Sequence, residues 1–274
     1  MTILQSIALG IVQGVTEFLP ISSSGHLVLL QHFFGIKEGN LFFTEMLHFG
    51  TLISIIIVYF NEIVKIIAEF FKMIYQGFKT KKMKIRNEYQ RLALMIIVGS
   101  IPTAIIGIFF KDLFEKLYSS IFAIGIAFLL TGCLLWIADK KTAGYKDANA
   151  MSSLDATIIG VFQGMAIMPG ISRSGSTIVA GLLRGLDRPL AIEYSFLLAL
   201  PATFGAGVLG IKEAVEASGG ANFSVPLIIG VITSTVVGVL GLKLLISLLK
   251  NKKFHYFSYY LWLLGIITIA SQFF

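Results

Sequence analysis

One cysteine, Cys133, stands in 274 residues. An intrachain disulfide and a cysteine metal cluster are therefore excluded. Charge is scarce too: Asp, Glu, Lys and Arg make up 14% of the chain, well below the usual share in a water-soluble domain. No Walker motif, HExxH or GxSxG occurs, which removes P-loop nucleotide enzymes, zincin proteases and α/β-hydrolases. No nucleic-acid-binding motif is present either. The opening "MTILQSIALGIVQG" lacks a basic n-region, so no cleavable leader is expected.

What abounds is apolar. Hydrophobic residues are 56% of the chain and mean hydropathy is +0.84. Charges cluster between long apolar runs, the pattern of a polytopic all-α membrane protein; a transmembrane barrel would alternate polar and apolar residues. Six runs are long enough to span: 42–60, 92–110, 121–138, 190–211, 225–249 and 256–274. Two further regions are apolar but broken. Residues 3–19 and 27–36 flank a serine cluster; 154–168 and 176–186 flank "PGISRSG". Each piece is shorter than the roughly 20 residues of a span. Pro20, Gly25, Pro169, Gly170 and Gly175 interrupt helix there. Broken helices at membrane depth survive where protein buries them or a wet cavity borders them. Two re-entrant helix–loop–helix hairpins are therefore expected, the alternative being one kinked span apiece.

The net charge of +7 suits basic loops on the cytoplasmic side better than a nucleic-acid partner. The linker 61–91 carries Lys65, Lys72, Lys79, Lys81, Lys82, Lys84, Arg86 and Arg91 against three acids and is expected inside. Alternation then places 111–120 and 212–224 outside, and 139–153, 184–189 and the basic loop with Lys250, Lys252 and Lys253 inside. Both termini fall outside. The first hairpin enters from outside and the second from inside.

A shift of 150 residues lays "GIVQGVTEFLPISSSGH" (10–26) over "GVFQGMAIMPGISRSGS" (160–176), and "GSIPTAIIG" (99–107) echoes "GVITSTVVG" (230–238). Each half, 1–140 and 150–274, then holds one hairpin and three spans. Three is odd, so the single membrane domain reads as an inverted repeat whose broken helices meet near the midplane. The differences matter as much: Glu17, Ser23 and His26 face Ile167, Arg173 and Ser176 in the other copy. One hairpin brings an acid and an imidazole, the other a guanidinium. Ionisable groups at such depth are functional candidates by default.

Gln13 and Glu17 share a helix face. They could hold a divalent cation through oxygen, Glu17 could act as a base, or both could simply bond the loop. Ser22, Ser23 and Ser24 precede Gly25 and His26; a serine becomes a nucleophile when a base lies within reach, and His26 is a candidate for that base or for the nucleophile itself. Arg173 offers a planar fork suited to phosphate, with Ser172, Ser174 and Thr177 adding hydroxyls and a helix start adding N–H groups. A structural pair between Arg173 and Glu17 is the bland alternative. Glu45, His48 and Glu193 sit near span ends that border the hairpins. Trp136, Trp262, Tyr256, Tyr259 and Tyr260 read as interfacial anchors. Pro102 and Pro201 are expected to kink their helices. Together these parts suit phosphoryl transfer.

"QGVTEFLPISSSGH" and "PGISRSGST", with "SFLLALP" (195–201), make the chain similar to the bacterial undecaprenyl-diphosphate phosphatase, or bacitracin-resistance protein, family. The resemblance covers nearly the whole chain. It implies a multi-pass protein of the bacterial cell membrane. That protein removes the terminal phosphate of undecaprenyl diphosphate and regenerates the lipid carrier of cell-wall synthesis. It further implies a divalent cation, Mg²⁺ or Ca²⁺, and a site toward the outer face. Carried over, Glu17 and Gln13 serve the cation or water, Ser23 and His26 the attack, and Arg173 with Ser22, Ser172, Ser174 and Thr177 the diphosphate. The family's first motif pairs an acid or glutamine with this Glu, and here Gln13 leaves a single carboxylate. The nucleophile stays open between Ser23, His26 and water. Partners implied are the polyprenyl lipid and bulk membrane lipid; a homodimer is left open.

Acid lipid phosphatases of the phosphatidate type also use "SGH" and a later "SR". They need a histidine shortly past that arginine, and here His255 is the sole histidine after Arg173. The rival of another class is a polyprenyl-phosphate flippase, which inverted repeats would also suit. A flippase needs the arginine site but no nucleophile.

Overall fold

The computed structural model describes residues 1–36, 41–82, 84–140, 144–218, 224–249 and 254–273. Among them are twelve helices: α1 (Ile3–Thr16), α2 (Ser23–Phe33), α3 (Leu41–Val58), α4 (Phe60–Thr80), α5 (Glu88–Phe109), α6 (Lys111–Tyr118), α7 (Ile121–Asp139), α8 (Ser153–Met165), α9 (Arg173–Leu183), α10 (Arg188–Ser218), α11 (Val225–Leu249) and α12 (Phe254–Ala270). No strand forms among the described residues; one isolated bridge joins Lys146 to Leu186.

Among the described residues, four helices are long and apolar enough to cross a membrane: Glu88–Phe109, Ile121–Asp139, Arg188–Glu213 and Val225–Leu248. A fifth span results if Phe42–Val58 and Phe60–Thr80 are counted together, but these two meet at 81°. The sixth expected run forms α12, apolar but only 17 residues long. Other expectations shift in detail. The linker 61–91 is mostly α4, and 111–120 holds the short α6. Helix α10 runs on through Ser218, into the expected loop 212–224. Pro102 and Pro201, as expected, lie inside helices, α5 and α10. The basic loop of Lys250, Lys252 and Lys253 lies outside the described residues.

Helix α4 is amphipathic. Phe60, Val64, Ile67, Phe71, Tyr75 and Phe78 recur every three or four residues and are exposed, while Ile66 and Met73 are buried. Its lysines lie between these positions, as expected of a helix resting along an apolar–water boundary.

Both broken regions form helix pairs. Helices α1 and α2 have 14 and 11 residues, α8 and α9 have 13 and 11. Each begins at a hydroxyl N-cap. Thr2 and Ser152 close capping boxes with Gln5 and Asp155, and Ser22 and Ser172 accept the N–H of Gly25 and Gly175. Such caps satisfy N–H groups that apolar surroundings would leave unpaired.

The helix contacts come in matched sets. Helix α1 packs on α11 as α8 packs on α5; α11 also meets α3 as α5 meets α10; α3 meets α10, and α7 meets α12. The repeated glycines explain the first match. A Cβ on Gly10 would lie 2.7 Å from the Gly230 carbonyl oxygen, and one on Gly160 would strike the Gly99 carbonyl. Small residues here let the backbones touch, as in tightly packed membrane helices. Helix α9 lies deepest: residues Ser174 to Leu182 are all buried.

Candidate active site

The break after α1 and the break before α9 meet. The Gly170 N–H donates to Ser24 Oγ (3.3 Å), and Ser174 Oγ donates to the Leu19 carbonyl (3.3 Å). A Cβ on Gly25 would strike Phe128 and come within 3.2 Å of Gly170 Cα. Only glycine allows this approach.

Glu17 is the centre of the junction. It caps the C-terminus of α1, the negative end of the helix dipole, where a carboxylate is disfavoured, and it is 8% exposed. Donors from both halves offset that. The guanidinium of Arg173 donates to Oε1 at 2.8 Å. On Oε2, Ser23 Oγ donates at 2.6 Å and Gln13 Nε2 at 3.0 Å. His48 Nε2 stands 3.5 Å from the same oxygen, a favourable contact when the ring is protonated. His48 Nδ1 donates to the Thr44 carbonyl (2.8 Å). Arg173 also reaches the Ser195 carbonyl at 3.4 Å.

His26 does not face Ser23. Ser23, at the first position of α2, turns back to the Glu17 charge. His26 Nδ1 instead donates to the Ser22 carbonyl one turn earlier, at 2.7 Å. The group beside Ser23 Oγ is the Glu17 carboxylate. Gln13 and Glu17 are bonded to each other. Gln13 turns its amide nitrogen to Glu17 and to Thr51 Oγ1 (3.2 Å), because the carboxylate demands a donor. Its buried Oε1 has no hydrogen-bond partner among the described residues.

The hydroxyls proposed for the diphosphate hold the scaffold. Ser172 Oγ caps α9 through Gly175 N (3.0 Å), and its own N–H donates to Thr131 Oγ1 (3.3 Å). Ser174 ties the hairpins together. Thr177 bonds the Arg173 carbonyl (2.9 Å) and Ser195 Oγ (2.5 Å). Ser22 caps α2 in the left-handed region, φ +68°, whereas its counterpart Ser172 sits at −76°. Such a conformation costs about 1–3 kcal/mol.

Of the flanking acids, Glu45 packs on Gly210, and the charged neighbours of Glu193 are Glu62, Glu88 and Asp187; neither is among the partners of Glu17. Tyr260 is not simply an interfacial anchor, for its hydroxyl meets His26 Nε2 at 2.7 Å. Thr51, Thr131, Ser195 and Tyr260 were missed in the sequence. The first three show only as lone hydroxyls in apolar runs, and Tyr260 is masked by a run of interfacial aromatics.

A divalent cation finds a partial shell here. Glu17 and the unpartnered Gln13 Oε1 are oxygen donors of the right kind, and no cluster of three or more His, Cys, Asp or Glu able to hold a metal forms among the described residues. That fits an ion completed by phosphate oxygens and water, as magnesium sites commonly are.

The arrangement can bind an anion and move a proton. The first turns of α2 and α9 open on the junction, where N–H groups and dipoles favour negative charge. A hydroxyl lies against a buried carboxylate, and an arginine comes from the other half. These features define a helical membrane protein with a buried acid–hydroxyl–arginine centre. The chain belongs to the family described as bacitracin resistance protein BacA, whose profile matches residues 6–267. It is 49% identical over 270 residues to the undecaprenyl-diphosphatase of Alkaliphilus metalliredigens, covering 98% of both chains. It is 43% identical to that of Carboxydothermus hydrogenoformans (98% and 97% covered) and 42% identical to that of Desulforapulum autotrophicum (100% and 99%).

Proposed function

We propose that this chain is a membrane-embedded phosphatase that hydrolyses undecaprenyl diphosphate to undecaprenyl phosphate and inorganic phosphate. It thereby recycles the lipid carrier for peptidoglycan and other cell-wall polymers and confers bacitracin resistance. Family membership and the named relatives support the activity. The observation that carries it is the 2.6 Å contact between Ser23 Oγ and the Glu17 carboxylate, itself bridged to Arg173 from the second hairpin.

Arg173 exchanges its contact with Glu17 for the phosphate oxygens of the lipid. Oε2 of Glu17 stays on Ser23 Oγ, and the departure of Arg173 vacates Oε1. Ser23 Oγ attacks the terminal phosphorus as its proton passes to Glu17. The anhydride P–O bond breaks, and undecaprenyl phosphate leaves. Water then cleaves the phosphoserine: Glu17 returns its proton to the departing Ser23 Oγ, and His26 Nε2, as the Tyr260 hydroxyl turns aside, takes a proton from the water. Arg173 and the two helix N-termini meet the charge that spreads over the equatorial oxygens. A divalent cation held by Glu17 and Gln13, when bound, would neutralise further phosphate charge.

The architecture proposed is six membrane-crossing segments and two re-entrant hairpins related as an inverted repeat, supported by the matched helix contacts. Basic α4 and its flank face the cytoplasm, and the lipid reaches the site from the outer side of the bacterial cell membrane. A flippase would use Arg173 but has no need of a hydroxyl against a carboxylate.

The test is phosphate release from undecaprenyl diphosphate by purified protein in detergent, with and without Mg²⁺, with Ser23→Ala and Arg173→Ala alongside. Release lost in both variants is expected. Full release from Ser23→Ala would replace serine attack by attack of water.

A further inference from the structure

We infer that Tyr260, on the last helix, is the positioning residue that fixes the tautomer and ring orientation of His26. The inference rests on the reading of His26 as the proton acceptor of the second step. Nothing in the family resemblance assigns Tyr260 a role.

The argument begins at the other ring nitrogen. The Ser22 carbonyl can only accept, so His26 Nδ1, 2.7 Å away, carries a hydrogen. In the neutral ring, Nε2 then holds the lone pair, and the Tyr260 hydroxyl, 2.7 Å from it, donates. The two rings are nearly coplanar in orientation, at 11° with centroids 5.7 Å apart. Phe128 of α7 closes the other side edge-on, at 5.4 Å and 62°. The imidazole is thus held from three directions by a strained Ser22 backbone, a phenol and a phenyl ring.

Each contact does a separate job. The Ser22 carbonyl selects the Nδ1–H tautomer. Tyr260 reinforces it, since the alternative tautomer would set Nε2–H against a hydroxyl that must turn round to accept. It also satisfies a lone pair that would otherwise sit among apolar side chains at a cost. Phe128 and the phenol ring stop the imidazole from swinging. His26 comes from the first hairpin and Tyr260 from the C-terminal half, so this is a second place, besides Glu17 and Arg173, where the halves complete one another.

The experiment compares wild type, Tyr260→Phe and His26→Gln by steady-state phosphate release and by imidazole ¹⁵N spectroscopy of the detergent-solubilised protein. The His26 signals are identified by their loss in His26→Gln. The phenylalanine variant keeps the ring and removes one hydroxyl, so folding is retained. Wild type is expected to show one Nδ1–H tautomer with a hydrogen-bonded Nε2. Tyr260→Phe should shift the Nε2 signal toward that of an unbonded lone pair. It should also lower kcat about three- to tenfold, the worth of one neutral hydrogen bond, with KM unchanged. If only the spectrum or only the rate changes, or neither does, while His26→Gln is inactive, the assignment of Tyr260 is overturned and the reading of His26 stands. Full activity in His26→Gln overturns both.

Discussion

At the scale of the residue, the centre is a buried carboxylate kept charged by partners that come from far along the chain. Arg173→Ala would leave Glu17 buried without its cation, a change that costs about 3–5 kcal/mol. A clear drop in the unfolding midpoint in detergent is expected, beyond any loss of activity. Arg173→Lys restores the charge but not the fork that reaches Glu17 and Ser195 together. Stability should return in part and turnover should stay low. Much of this centre was legible in the sequence. Glu17, Ser23, His26 and Arg173 stand out because ionisable groups are rare in apolar runs. Their pairing was not legible. Spacing suggested His26 beside Ser23, but a helix start lets Ser23 turn backward, and nothing in a spacing shows that the Ser22 carbonyl claims Nδ1. The bland pairing of Arg173 with Glu17 proved to be the actual contact, and it joins the two hairpins.

At the scale of the element, the hairpins stand on their caps and on close backbone crossings. A Cβ at Gly160 meets the Gly99 carbonyl, so Gly160→Ala should separate α8 from α5 and destabilise by about 1–3 kcal/mol, as overpacking does. Thermal unfolding reads this directly. The start of α8 gives a pH test. Asp155 lies where Lys146 and Arg184 are each about a third exposed. Burial pushes its carboxyl up, but the Ser152 N–H and hydroxyl, Lys146 and Arg184 outweigh that and bring it to about 2, from 3.8. A depressed pKa stabilises the fold fully above the unfolded value and ceases to do so as pH falls through the folded one. Wild type should therefore lose stability between about pH 4 and pH 2, and Asp155→Asn should lose less over that window. Broken helices were legible from Pro20, Pro169 and glycine; α4 was not, because its lysines read as a loop. The charges lie between a regular stripe of aromatic and aliphatic residues, and the helical period went unread behind them.

At the scale of the whole molecule, the centre draws its groups from both ends of the chain. The N-terminal part gives the carboxylate, the hydroxyl and the imidazole; the C-terminal part gives the guanidinium and Tyr260. The repeat in the sequence lays 10–26 over 160–176. It could not reveal which helices touch, since the crossings of α1 on α11 and of α8 on α5 join segments more than 40 residues apart. The central claim is that Glu17 takes the Ser23 proton during phosphoryl transfer. Single-turnover phosphate release from undecaprenyl diphosphate by Glu17→Gln tests it most directly. The variant keeps the side-chain shape, and an unchanged unfolding cooperativity shows that it is folded. General-base loss typically costs about 10²–10⁴-fold, and a fall of that size is expected with the lipid still bound. Release at the wild-type rate from folded Glu17→Gln would contradict the account.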